Sequence, residues 1–128
     1  MNTQLLSNRE NGEFQAGDDL VLTATVKNDG KEALYQVRGQ SSSPYSRFDD
    51  IEWIFGTVLP GESRSWTVTI PLPRNAMART TPIDLQFYSD ETLLEGLKTR
   101  TQLQIKPLKK VIYISRIQLI SLNFFSFN

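Results

Sequence analysis

Apolar and polar side chains alternate residue by residue along most of this chain, the spacing of strands with one buried and one wetted face. Leu20, Leu22, Ala24 and Val26 fall on one side, and Val21, Thr23, Thr25 and Lys27 on the other. The run stops at Asn28-Asp29-Gly30, where Asn and Gly accept the positive φ of a reversal. A second run, 34–42, sets Tyr35, Val37 and Gly39 on one face and ends in Ser41-Ser42-Ser43-Pro44, a loop signal. A third, 51–58, groups Ile51, Trp53 and Phe55. The turn Leu59-Pro60-Gly61-Glu62 follows, with Pro and Gly placed as a type II turn needs them. Trp66, Val68 and Ile70 then alternate with Ser65, Thr67 and Thr69; Ile83, Leu85 and Phe87 with Asp84, Gln86 and Tyr88; and Leu103 and Ile105 with Gln102, Gln104 and Lys106.

Six strands are therefore clear, and a seventh with poorer alternation is expected between Leu5 and Phe14. No segment carries helical periodicity. Short strands with regular turn signals predict an all-β, Ig-like antiparallel β-sandwich of about seven strands, with a β-barrel as the competing architecture. The expected inward set is Leu20, Leu22, Val26, Tyr35, Val37, Phe55, Trp66, Val68, Ile70, Ile83, Leu85, Phe87, Leu103 and Ile105. The chain divides into residues 1–13, an extension or poorly formed first strand; 14–106, the sandwich; and 107–128, an apolar segment read as the truncated start of a following domain.

With 128 residues the chain has room for one domain with a core of its own. Lys+Arg and Asp+Glu are both 14, so the basic surplus that a nucleic-acid binder uses to displace counterions is missing. The sequence holds no His and no Cys. That excludes Ser-His-Asp and Cys-His catalysis, His or Cys zinc sites, and disulfides. Met1–Leu6 has neither the basic region nor the apolar stretch of a secretory signal.

Few side chains suggest a site. The pairs Asp18-Asp19, Asp49-Asp50 and Asp90-Glu91 offer oxygens to calcium, but acids at strand ends are ordinary turn residues. The serines 41–43 lack the adjacent desolvated base that would activate one of them. Trp53 and Trp66 share faces with apolar neighbours and read as core. Tyr45, in a Pro-Tyr-Ser loop, and Tyr88, on a polar face, are the candidates for surface binding. No cofactor is expected. Val111–Phe127 is strongly apolar but contains Arg116 and Gln118 and favours a strand, so a membrane anchor is not expected.

Three short motifs occur in order: Ala16-Gly17-Asp18-Asp19-Leu20, then Val26-Lys27-Asn28-Asp29-Gly30, then Pro60-Gly61-Glu62-Ser63. Together they resemble the CARDB-like bacterial adhesion sandwiches. Residues 14–105, with Leu34–Ser42 as second strand and Pro107, Leu108, Tyr113, Ser115, Gln118 and Leu119 beyond the last, look like the sandwich that follows the catalytic part of PDZ-containing C-terminal processing (tail-specific) serine peptidases. The resemblance implies a non-catalytic accessory module of a secreted or periplasmic peptidase, whose Ser and Lys lie in a separate domain. Its partner would be that peptidase domain, or an extended peptide taken up by strand addition. A cell-surface adhesion or carbohydrate-binding domain using Tyr45 is the alternative, with a glycan as partner.

Overall fold

The computed structural model describes residues 1–108, so the expectations for Val111–Phe127 lie outside the described residues. The elements are β1 (Asn2–Ser7), β2 (Glu13–Gln15), β3 (Asp19–Lys27), β4 (Leu34–Ser42), a 3-10 turn (Ser46–Phe48), β5 (Glu52–Val58), β6 (Ser63–Pro71), β7 (Arg79–Ser89) and β8 (Thr92–Lys106). They form an all-β fold of two sheets, β1-β3-β6 and β2-β8-β7-β4-β5. Among the described residues no helix is long and apolar enough to cross a membrane.

The alternating faces meet in one core. Leu20, Leu22, Ala24 and Val26 of β3 oppose Val37 of β4, Trp53, Phe55 and Val58 of β5, Ile83, Leu85 and Phe87 of β7, and Leu103 and Ile105 of β8. Phe14, Phe48 and Leu72 belong to the same buried cluster. Burying such side chains is worth roughly 1.5–3 kcal/mol each.

Two turns expected as reversals carry the chain from one sheet to the other. Leu59–Glu62 has the Glu62 N–H donating to the Leu59 carbonyl at 2.9 Å and Gly61 at φ 79°, the type II form, and it joins β5 to β6. The Asn28–Gly30 turn joins β3 to β4, with the Asn28 Oδ1 accepting from the Gly30 N–H at 3.0 Å. Among the described strands only β4–β5 and β7–β8 are paired sequence neighbours. The β7–β8 turn puts Asp90 and Glu91 both at positive φ, as a tight hairpin requires.

The structure corrects the sequence reading at several points. The described residues hold eight strands rather than about seven, and β2 pairs with β8 in parallel, so the sheets are not wholly antiparallel. The first strand is regular and lies at 2–7, where Thr3, Leu5 and Ser7 face inward opposite Val26, Ala24 and Leu22. Its alternation is hard to read because the inward positions are only half-buried and two are hydroxyl residues. Strand β8 begins at Thr92, well before the alternation legible from Gln102 to Lys106. Its pairing jumps from Gln86↔Lys98 to Tyr88↔Leu93, and the extra residues break the period-two pattern there.

Tyr35 was expected inside and is 53% exposed. A bulge places Gln36 at φ 47°, so Leu34 and Val37 both face the core and Tyr35 is turned outward. Trp66 was also expected inside and is 45% exposed. Its strand direction is as the alternation predicts, and nothing among the described residues covers it.

Candidate strand-docking edge

Strand β6 is the outer strand of the three-stranded sheet and pairs with β3 over its whole length, Ser63↔Lys27 to Pro71↔Asp19, without a register break. Hydrogen bonds at the two ends of the ladder fix which backbone groups face which way. The Asn28 N–H donates to the Glu62 carbonyl at 2.9 Å, and the Leu72 N–H to the Asp18 carbonyl at 2.9 Å. In an antiparallel pair bonded and non-bonded positions alternate. Arg64, Trp66, Val68 and Ile70 thus spend their N–H and C=O groups on β3, while those of Ser65, Thr67 and Thr69 point away from it. No strand among the described residues pairs with that side.

Sheet edges are usually blunted by Lys, Pro or a bulge. Between Ser63 and Ile70 this strand has none of these, and Arg64 is its one charged residue. Hydroxyl pairs on the solvent face hold it against β3: the Thr23 and Thr67 Oγ1 atoms lie 2.8 Å apart, and Thr25 Oγ1 and Ser65 Oγ 2.7 Å. Such cross-strand pairs stabilise the pairing of β6 with β3.

The inward face of β6 opens progressively along its length. Ile70 is buried, Val68 half-buried and Trp66 exposed. Trp66 shares its row with Ala24 and Leu5, and the small Ala24 leaves the indole without a large neighbour on β3. The other tryptophan, Trp53 on β5, is fully buried and its indole N–H donates to the Leu22 carbonyl at 3.2 Å. An edge with free backbone groups and an uncovered indole in its inward row can accept one more strand.

The residues singled out for surface binding lie elsewhere and apart. Tyr45 precedes the 3-10 turn and is half-buried, edge-on to Phe48 with centroids 4.9 Å apart, and the Arg79 guanidinium lies 4.0 Å from its ring centroid. Tyr88 lies near the other end of β7, about 30 Å from Arg79 along the strand. The Arg38 guanidinium lies 4.2 Å from its ring centroid. Arg38 also binds Glu91 at 3.0 Å, and that hydrogen bond holds the Glu91 carboxyl below its ordinary pKa and raises that of Arg38. Trp66 was missed as a surface residue because alternation reports a side chain's direction and says nothing about what stands opposite it.

The other sequence features serve local structure. The buried Ser41 hydroxyl donates to the Phe48 carbonyl at 2.6 Å and accepts from the Ile51 N–H at 2.9 Å; that of Ser43 donates to the Pro82 carbonyl at 2.8 Å. Asp18 accepts from the Gln15 N–H and from Arg9, and Asp49 from the Ser43 N–H. Among the described residues no group of three metal-ligating side chains converges. An open groove of about 800 Å³ runs beside Leu34, Leu93, Leu94 and Leu97 at the β8 irregularity.

On the outer face of the larger sheet Arg100 forks onto Asp84 at 2.6 and 2.9 Å, and this hydrogen bonding lowers the Asp84 pKa below its ordinary 3.8. A depressed carboxylate stabilises the fold above its unfolded pKa, and that contribution is lost as the pH falls through the folded one. Asp84→Asn should therefore cost at most about 1 kcal/mol at neutral pH, since Arg100 is largely solvated. In strong acid its melting temperature should converge on that of the wild type; a gap that persists unchanged with pH would contradict the assignment.

No family model matches the chain, and no curated protein matches it. Several solved structures share its shape. Red sea bream transglutaminase matches with a TM-score of 0.66 and 14% identity, over 86% of this chain and 15% of that one. A family 123 glycoside hydrolase from Clostridium perfringens matches with a TM-score of 0.52 and 16% identity, over 77% and 23%. The sporulation control protein Spo0M from Bacillus subtilis matches with a TM-score of 0.50 and 15% identity, over 81% and 48%. This chain spans less than half the length of each, and at such identity the likeness concerns the fold alone.

Proposed function

We propose that this chain is a non-catalytic, Ig-like interaction module that takes an extended strand onto the β6 edge. The observation that carries the reading is the coincidence on one strand of outward backbone groups at Ser65, Thr67 and Thr69 with the half-exposed Trp66 between them. Main-chain hydrogen bonds supply affinity in such additions, and pockets for alternate side chains supply selectivity. An incoming strand extends the sheet β1-β3-β6 and lays its own inward residues against Trp66 and Val68. In a parent that resembles the C-terminal processing peptidases, at the cell surface or in the periplasm, that strand belongs to the peptidase domain or to a peptide handed to it. Glycan binding through Tyr45 has less support, because Arg79 and Phe48 already pack on that ring.

The two tryptophans give the test a built-in readout. Trp53 is buried and Trp66 is not, so acrylamide quenching reports mainly on Trp66. Titration of the whole chain with a nonapeptide of alternating Val and Thr should shift the emission to the blue and protect the quenchable fraction, saturably. Thr67→Pro removes one outward N–H and the exposed hydroxyl pair with Thr23, but leaves the backbone ladder to β3 intact, which edge strands tolerate. It should weaken binding about tenfold with a fall of only a few degrees in melting temperature. Trp66→Ala, which removes the reporting indole and is therefore followed by titration calorimetry, should weaken binding roughly thirty-fold, as for a truncated interface anchor. Absence of any spectral change up to millimolar peptide would sink the reading.

A further inference from the structure

We infer that β6 also pairs with β6 of a second copy of this chain, antiparallel about a two-fold axis at Thr67, and that this self-association occludes the docking edge. The inference rests on the strand-docking reading and names a partner for the same edge. A two-fold interface joins one surface to itself, so the edge must be complementary to its own reversed image. The backbone meets that condition. Outward-facing residues must pair with outward-facing residues, and an axis at Thr67 sets Thr67 opposite the partner's Thr67 and Ser65 opposite the partner's Thr69.

The side chains meet it as well. In this register Trp66 lies across from the partner's Val68, and Arg64 from the partner's Ile70, so no like charges face each other. All nine residues of Ser63–Pro71 overlap. Moving the axis to Trp66 preserves the hydrogen-bonding parity but shortens the overlap and leaves Ile70 unpaired at the end. The chain carries zero formal net charge, so no long-range repulsion keeps two copies apart. Two strands and two indoles bury area near or below the ~1,200 Å² at which stable interfaces begin. The dimer is therefore weak and concentration-dependent, and an extended peptide competes with it directly.

Sedimentation velocity on the full chain from micromolar to millimolar concentration tests this. The wild type should show a reversible monomer–dimer equilibrium, with acrylamide protection of Trp66 rising as dimer forms. Thr67→Pro on a two-fold axis deletes two symmetry-related hydrogen bonds and should weaken association by about ten- to a hundred-fold. Self-association that is unchanged in Thr67→Pro places the contact on another surface and overturns the inference. A wild type that stays monomeric throughout also overturns it; Thr67-dependent binding of the Val-Thr nonapeptide by that same monomer leaves the docking reading standing. If neither dimer nor peptide binding is seen, both readings fall.

Discussion

Replacing Trp53 by alanine is expected to destabilise the protein by about 3–5 kcal/mol, the range for a large aromatic removed from a packed core. That is a large fraction of the roughly 5–15 kcal/mol that holds a domain of this size together. Trp53 is the largest fully buried side chain, and it bridges the sheets: it stands on β5 and its indole N–H reaches the Leu22 carbonyl on β3. The variant loses the packing against both sheets as well as this hydrogen bond. Urea unfolding followed by far-UV circular dichroism should show a much earlier midpoint, or no cooperative transition at all. Trp53→Phe keeps an aromatic in the cavity and should cost clearly less. A loss below about 1 kcal/mol for Trp53→Ala would mean that the two sheets do not pack on this residue.

Asn28→Ala is expected to cost about 2–3 kcal/mol, a large loss for a small polar side chain. Asn28 is only 3% exposed and works as a polar clasp where β3 leaves for β4 and β5 turns into β6. Its Nδ2 donates to the Glu32 carbonyl at 2.7 Å and to the buried Val58 carbonyl at 3.0 Å, while its Oδ1 accepts from the Gly30 N–H. Alanine strands those groups, and each buried orphan costs about 1–3 kcal/mol. Asn28→Asp separates the hydrogen-bonding role from the shape. An ionised carboxylate there lacks donors and is desolvated, so its folded pKa is raised. For a raised carboxyl the stability deficit grows as the pH rises, and the variant should approach wild type in mild acid and fall behind at neutral pH. Equal stability of Asn28→Ala and wild type in urea would remove the clasp from the account.

Trp53 and Asn28 also show how differently sequence and structure contribute here. The Leu20–Val26 and Ile83–Phe87 patterns require one buried and one wet face, and both strands have them. The Pro60-Gly61 dipeptide predicts a type II turn, and the turn is of that form. Period-two alternation reads well because it is local: the pleat alone sends neighbours to opposite faces. The Asn28 turn was legible as a turn. That it clasps two sheets was not, because Val58 and Glu62 are distant in sequence and approach only when the sheets stack.

The candidate site was not legible. Tyr45 and Tyr88 stood out because their sequence neighbours are polar, yet arginines pack over both rings. Trp66 looked like core because Val68 and Ile70 follow it at two-residue spacing. A single bulged residue, Gln36, was enough to reverse the facing of Tyr35, since one inserted residue flips every side chain on one side of it.

By itself, then, the sequence determined an all-β chain, the directions of most side chains, the type II turn at Leu59–Glu62, and the absence of imidazole and thiol chemistry. Only the tertiary structure decided which strands share a sheet, and that among the described residues β6 lies at an edge and nothing covers Trp66. The physical reason is that alternation is a property of one strand's backbone. Burial depends on the strands placed beside and opposite it, and those come from remote parts of the chain.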